Sequence, residues 1–467
     1  MQFIENRTFD EIAVGDSATL ARELTREDIS LFAVVSGDDN PTHVDADYAR
    51  TATFHEVVAH GMWGGALISA LLGTVLPGPG TVYVGQNLRF LAPVTVGDRL
   101  DVKVTVTAKD PATHRLTLAC TCTNQRGEAV IEGEAIVTAP TEKVRRPRAA
   151  LPEVELRQPN TRFRTLIEKT KALPAMRTAV VHPCDALSLQ GALAAAAEEM
   201  IVPILVGPRP KIEAAAAEAG VDIGGLEIVE APHSHAAAER AVELVREGRA
   251  DILMKGKLHT DELMGPVVDR DRGLRTERRM SHVFALDVPH YPKMLYVTDA
   301  AINIFPDLET KRDIVQNAID LALALGLARP KVALLSAVET VYPKIPSTIE
   351  AAALCKMLDR GQITGGLLDG PLAFDNAVSK AAAEAKGIAS EVAGDADILM
   401  VPDLEAGNMV AKQLIYLAGA DAAGIVLGAR VPIVLTSRAD GILARLASTA
   451  MASLLVARTR PGAGSPP

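Results

Sequence analysis

Two short stretches carry side chains whose types and spacing suit chemistry. In "SGDDNPTHVD", Ser36 to Asp45, Asp38 and His43 stand five apart with Pro41 between them. Proline disfavours continuous helix through its predecessor, so the segment is expected to bend and aim both side chains at one point. A carboxylate and an imidazole sharing one water suit addition of that water to an activated double bond: one group takes a proton, the other supplies one. The same residues also suit a capped turn, with Asp38 or Asn40 as the cap. The second stretch, "VPIVLTSRADGILARL", reads as strand, turn and helix, with Ser437 and Arg438 in the turn. An anion there would meet free backbone N–H groups, the positive end of a helix dipole and a guanidinium. Here too capping competes, because Ser437 and Asp440 are favoured N-cap types.

The two stretches lie in segments with different periodicity. From Leu100 to Val137 apolar and polar residues alternate, "LDVKVTVTAKD", "HRLTLACTCTNQRG" and "EAVIEGEAIVTA", which predicts an antiparallel meander with one buried face. "TVYVGQNLRFLAPV" reads as another strand, and "HGMWGGALISALLGTVL" as a buried helix that a curved sheet would wrap. "APTEKVRRPRAALPEVELRQPN" has neither period and reads as a linker. Beyond it, short apolar strands such as "RTAVV", "VPILVG", "ADILMKG", "PKVALLSAV", "ADILMVPD" and "VPIVLTS" alternate with Ala-rich helices. That pattern predicts a mainly parallel α/β sheet with binding residues at the C-terminal ends of strands. The expected organisation is residues 1–140, a linker over 141–160, and a second domain over 161–467.

Bulk properties exclude several classes. A net charge of −10 argues against a nucleic-acid partner, which would need a basic surface. The four cysteines, Cys120, Cys122, Cys184 and Cys355, lack metal-ligand spacing and read as reduced core residues, so no metal is expected. The N-terminus has no basic start followed by an apolar run, and no apolar run reaches the ~18 residues of a membrane span. A cytoplasmic protein without a membrane partner is the expectation. No G-x-G-x-x-G follows a strand and opens a helix, which counts against a dinucleotide-dependent dehydrogenase.

The first half, through "SGDDNPTHVDADYA", "HGMWGGALIS" and "YVGQNLRFLAPVTVGD", resembles the MaoC-like (R)-specific enoyl-CoA hydratases, which have the α+β hot-dog fold. Carried over by position, the resemblance makes Asp38 and His43 the hydratase pair and the Gly61 N–H the oxyanion donor to the thioester carbonyl. It makes Asn40 a loop-orienting residue and Ser69 a site-lining one. Trp63 and Arg89 stand beside the expected acyl path, where they would either restrict chain length or serve only as packing and surface charge.

The second half, through "ADILMKGKLHTDEL", "GLRTERRMSHVFALDVPHYPKMLYVTDAAINIFPDL", "DGPLAFDNAVS", "AGDADILMVPDLEAGNMVAKQL" and "AGIVLGARVPIVLTSRAD", is similar to the phosphate acetyl- and butyryltransferases. That resemblance implies the α/β fold of phosphate acyltransferases and isocitrate or isopropylmalate dehydrogenases. It implies direct attack of the coenzyme A thiolate on an acyl phosphate, with no metal and no tightly bound cofactor. Coenzyme A, acyl-CoA and inorganic phosphate or acyl phosphate would be substrates. Ser437 would then bond the developing oxyanion and Arg438 would neutralise the phosphate. The acetyl branch has an acid seven residues after the serine; here that position is Ala444, and Asp440 is the nearest candidate base. Lys255, Lys257 and Thr260 are candidate phosphate ligands. Arg275, Arg278 and Arg279 suit the phosphates of coenzyme A, and Asp369 and Asn408 are strand-end candidates. The expected protein is a bifunctional homo-oligomer. The alternative is an acyltransferase whose hot-dog half is a non-catalytic assembly or coenzyme A-sensing module.

Overall fold

Apolar residues at every second position shape the first half of the chain. In the computed structural model, which describes residues 3–152, 154, 156, 161–435 and 441–459, the chain divides into two compact units, Met1–Arg157 and Gln158–Pro467. The first unit contains strands β1 (Phe3–Glu5), β2 (Ser17–Glu23), β3 (Val82–Phe90), β4 (Arg99–Asp110), β5 (Arg115–Thr123), β6 (Ala129–Thr138) and β7 (Arg145–Pro147). Its helices are α1 (Arg26–Ser36), α2 (Pro41–Val44), α3 (Ala46–Thr51) and α4 (Gly61–Thr74). An antiparallel sheet of order β2-β4-β5-β6-β3 turns Leu100, Val102, Val104, Leu116, Leu118, Cys120 and Cys122 inward against Ile68, Leu71 and Leu72 of α4. This is the helix wrapped by an antiparallel sheet that the alternation predicts, and the hot-dog fold that the resemblance implies. Close approach of helix and sheet requires Gly64, since a Cβ there would overlap the Ile131 side chain.

Part of the segment read as linker is folded. β7 pairs antiparallel with β1, Phe3 opposite Pro147 and Glu5 opposite Arg145. A pairing of three exposed residues has no buried face and therefore leaves no hydrophobic period.

The second unit contains β8 (Met176–Val181), β9 (Ile201–Gly207), β10 (Glu227–Glu230), β11 (Ile252–Lys255), β12 (Ser281–Asp287), β13 (Leu295–Thr298), β14 (Lys331–Leu335), β15 (Leu367–Leu372), β16 (Ile398–Met400), β17 (Asp421–Leu427) and β18 (Ile433–Val434). Around them lie α5 (Thr161–Thr170), α6 (Ala186–Ala197), α7 (Arg209–Ala219), α8 (Ser234–Arg246), α9 (Thr260–Val268), α10 (Leu308–Ala324), α11 (Pro346–Asp359), α12 (Phe374–Val378), α13 (Lys380–Ala385), α14 (Leu404–Tyr416) and α15 (Ile442–Thr459). The sheet order is β10-β9-β8-β11-β18-β17-β12-β13-β16-β14-β15. Pairing is parallel except at β18–β17, β17–β12 and β12–β13. Those three reversals make β13, β16, β14 and β15 run opposite to β8, β9, β10 and β11. The C-terminal ends of the strands, where binding residues are expected, therefore divide between two edges of this mainly parallel sheet. Among the described residues α15 is the one helix long and apolar enough to cross a membrane. Its Ala447, Ala450, Met451 and Ala452 are buried in the core that α5 and the sheet share.

Ile68→Ala is expected to lower the stability of the first unit by about 2–5 kcal/mol, the usual range for truncating a fully buried aliphatic side chain. Urea unfolding followed by fluorescence of Trp63, the single tryptophan and a core residue of this unit, measures it.

Candidate active sites

In the first unit the bend at Pro41 forms as expected, because Asn40 caps α2: its Oδ1 accepts from the Thr42 N–H at 3.1 Å. Asn40 thus fixes the loop rather than reaching the cavity. Asp38 Oδ1 accepts from the Asn40 N–H at 3.3 Å, and Arg26 donates to the carbonyl of Val44 at 2.9 Å, strapping the loop to α1. Asp38, His43 and His60 come together, with one potential ligand atom of each within 4.8 Å of the others. Two polar groups at that separation can share one water molecule, since each hydrogen bond spans about 2.8 Å. Among the described residues this is also the one group able to approach a cation together.

The imidazoles have defined tautomers. His43 Nδ1 lies 2.8 Å from the carbonyl of Val58, which only accepts, so Nδ1 carries the proton and Nε2 presents a lone pair. His60 Nε2 donates to the Asp38 carbonyl at 3.0 Å, and its ring stacks on His43 at 4.0 Å. His60 was not singled out by the sequence reading. The adjacent cavity of about 300 Å³ is walled by His43, Phe54, His60, Gly61, Trp63 and Phe90, among others. Gly61 opens α4, where N–H groups have no intrahelical partner and the helix dipole is positive. Trp63 is part of this wall, whereas Arg89 is exposed on β3 and Ser69 is exposed on α4 away from the cavity. Ser69 is therefore not brought to the site: it lies two turns along the helix, on its outward face.

In the second unit a cavity of about 660 Å³ lies over the central strands rather than at one sheet edge. Lys255, Thr260 and Asn408 line it, as do His282, Lys412 and Asp421. Lys255, the last residue of β11, is 8% exposed, and Asn408 Nδ2 donates to the Ala300 carbonyl at 3.3 Å. Ser437, Arg438 and Asp440 lie outside the described residues, but Leu435 and Gly441 on either side of them line this cavity, as does Ala444.

Four expected contributors are placed elsewhere. Lys257 is exposed, and its backbone is occupied by His182, donating to the His182 carbonyl at 2.8 Å and accepting from Nδ1 at 2.7 Å. Asp369 sits on β15 at the far edge of the sheet and accepts from the Gly370 N–H at 2.8 Å. Arg275 and Arg279 line a separate cavity of about 870 Å³ together with Arg278, Arg312, Glu277, Asp307, Glu309 and Asp313. Acids match the arginines there, and Arg278 is committed to Asp320. A run of like charges in sequence is thus balanced by residues distant along the chain.

His282 was missed because its immediate neighbours read as plain strand. It stands on β12, 1% exposed, and its Nδ1 has no hydrogen-bond partner among the described residues. Burial pulls its pKa down to about 4, so the ring is neutral at pH 7. Burial also pushes the thiols up, Cys122 to about 12 and Cys184 and Cys355 to about 11, which keeps them protonated and inert.

Two family descriptions match the chain: "Phosphate acetyl/butaryl transferase" over residues 235–452 and "MaoC like domain" over residues 13–123. A phosphate acetyltransferase of Rhizobium meliloti is 64% identical over 300 residues, which cover 64% of this chain and 95% of the relative. A phosphate butyryltransferase of Clostridium acetobutylicum is 42% identical over 293 residues, covering 63% of this chain and 97% of the relative. A solved branched-chain phosphotransacylase from Enterococcus faecalis V583 superposes with a TM-score of 0.53 at 32% identity, covering 60% of this chain and 99% of that structure.

The buried His282 predicts a pH dependence of stability. Its folded pKa lies below the ordinary value near 6.5, so below that pH the unfolded chain binds the proton more tightly than the folded one. Stability from this group is full above about 6.5 and falls as the pH drops toward 4, by about 3 kcal/mol in all. Urea unfolding of the wild type and of His282→Gln at pH 7.5, 5.5 and 4.5 measures it: the difference in slope between the two belongs to His282.

Proposed function

We propose, for a chain that belongs to the phosphate acetyl/butyryltransferase family, that it is a bifunctional acyl-CoA enzyme. The second unit transfers a short acyl group reversibly between coenzyme A and phosphate. The first hydrates short-chain trans-2-enoyl-CoA to (R)-3-hydroxyacyl-CoA. The observation that carries the first activity is 64% identity to a phosphate acetyltransferase along nearly the whole of that relative. Convergence of Asp38 and His43 beside an apolar cavity carries the second.

For hydration, His43 Nε2 and the Asp38 carboxylate hold a water between them. One removes its proton as oxygen adds to the β-carbon, and the other delivers a proton to the α-carbon. Charge moves onto the thioester oxygen, where the Gly61 N–H at the start of α4 stabilises it. An apolar pocket of about 300 Å³ walled by Phe54, Trp63 and Phe90 suits a short acyl chain.

For acyl transfer, Lys255, Thr260 and Lys412 face the larger cavity and suit phosphate groups, with Arg438 neutralising the transferred phosphate and Ser437 bonding the oxyanion. Asp440 is the candidate base for the thiol. Coenzyme A, acyl-CoA and phosphate are substrates, with no tightly bound cofactor, in a cytoplasmic protein. A homo-oligomer fits the edge strand β3, which exposes Val82, Val84 and Phe90 for pairing with a second copy. That same edge favours the second reading, in which the first unit serves assembly alone.

Two assays on the whole chain test this. One follows loss of the enoyl thioester absorbance of crotonyl-CoA; the other follows phosphate-dependent release of coenzyme A from acetyl-CoA and butyryl-CoA. Both are expected to proceed. Asp38→Ala should slow only the first, by roughly 10²–10⁴-fold, and Arg438→Ala only the second. Absence of hydration in the wild type would favour the assembly reading.

A further inference from the structure

An imidazole removed from water without a partner is costly, because each buried polar atom that lacks a hydrogen bond forfeits solvation. His282 Nδ1 is in that state, and the residue lines the acyl-transfer cavity. Its placement follows from strand register. β12 runs antiparallel to β17 with His282 opposite Val426 and Phe284 opposite Gly424, so these four residues share one face of the sheet. Val283 and Ile425, on the other face, enter the main core. The imidazole stands edge-on to Phe284 at 4.4 Å between ring centroids and leans over Gly424. A Cβ at position 424 would lie 2.8 Å from His282 Nε2, so only glycine leaves room for the ring in this position.

The cavity is divided in polarity. Lys255 and Lys412 supply positive charge, whereas Phe284, Ala422 and Gly424 form an apolar floor on β12 and β17. Phosphate groups belong with the lysines. The acyl group, uncharged and apolar except for its carbonyl oxygen, belongs on the floor, where His282 offers the polar atom.

Resting on the acyl-transfer reading of this cavity, the geometry points to His282 as a catalytic residue whose neutral ring donates a hydrogen bond to the acyl carbonyl oxygen. The thiolate of coenzyme A forms the C–S bond while the carbonyl π pair moves onto oxygen. The pair then returns as the C–O bond to phosphate breaks, and phosphate leaves with its electrons. The His282 proton stays on nitrogen throughout. A neutral imidazole suits this role, because a donor that carries no charge needs no counter-ion in the ground state and strengthens as the oxyanion forms. The low pKa keeps the ring neutral throughout the working range.

Steady-state kinetics of phosphate-dependent coenzyme A release, measured on the full chain, test the assignment. His282→Phe is expected to lower kcat about a hundredfold, the loss typical of one oxyanion donor, with KM for phosphate changed less than about threefold. His282→Gln, which keeps an N–H donor, should recover most of that loss, and its kcat should keep the wild-type pH profile. Gly424→Ala, which presses on His282 Nε2 and on the Leu435 carbonyl, should lower kcat. Wild-type turnover with His282→Phe within threefold of it would overturn the assignment alone; a wild type without turnover would overturn the acyl-transfer reading along with it. Disappearance of an ionisation from the pH profile in His282→Gln would mean proton transfer rather than neutral donation, and also overturns it. If His282→Phe does not fold, Gly424→Ala decides, and an unchanged kcat rejects the proposal.

Discussion

The antiparallel pairing of β12 with β17, from Ser281 opposite Leu427 to Asp287 opposite Asp421, governs the second unit. A one-residue slip in that register would send His282 and Phe284 into the core and bring Val283 and Ala285 to the cavity. The pairing also reverses the direction of the sheet. In an all-parallel sheet the strand C-termini share one edge, and ligands gather there. With the reversal, β11 and β18 deliver Lys255 and the segment after Leu435 from one side, and α14 covers the central strands with Asn408 and Lys412. The cavity is therefore assembled from both flanks of the sheet.

The first unit solves a smaller problem with a helix end. α4 must bury Ile68, Leu71 and Leu72 against the meander, and Gly64 lets the helix approach Ile131 closely. Burying that face brings the start of the helix to the cavity, so Gly61 and its N–H arrive there through packing. The loop from Asp38 to His43 is then held on three points: the Asn40 cap, the Arg26 strap, and the His43 bond to Val58. The placement of Asp38 and His43 comes from these backbone contacts.

Much of this was legible in the sequence. The period-two alternation located β4 and β6 within a residue at each end and overran β5 only into the turn after Thr123, since a sheet with one buried face must alternate. The S-G-D-x-N-P-x-H stretch brought Asp38 and His43 together as read, because its constraints are local: a cap, a proline and a turn. What failed was long-range. Asp369 looked like a strand-end ligand but belongs to an edge strand running the wrong way, and direction is invisible without pairing. The arginines at 275, 278 and 279 looked like an anion site, but Arg278 pairs with Asp320 on α10 and the Arg279 backbone N–H, not its guanidinium, meets Asp313. His282 and His60 were hidden for the same reason: an imidazole becomes chemically notable through burial, and burial is a property of the whole sheet.

On the proposed reading, both cavities address one electrostatic problem, the charge that collects on the oxygen of an acyl group attached to sulfur or phosphate. A lysine aimed at that oxygen would lose its hydration in the empty site and would attract any passing anion. Backbone N–H groups and neutral imidazoles hold smaller dipoles, cost less to bury, and respond in proportion as charge develops. On that reading the cationic Lys255 and Lys412 serve where the substrate is already anionic, beside the phosphates. Separating the two kinds of donor lets the apolar floor around the reacting carbon stay dry.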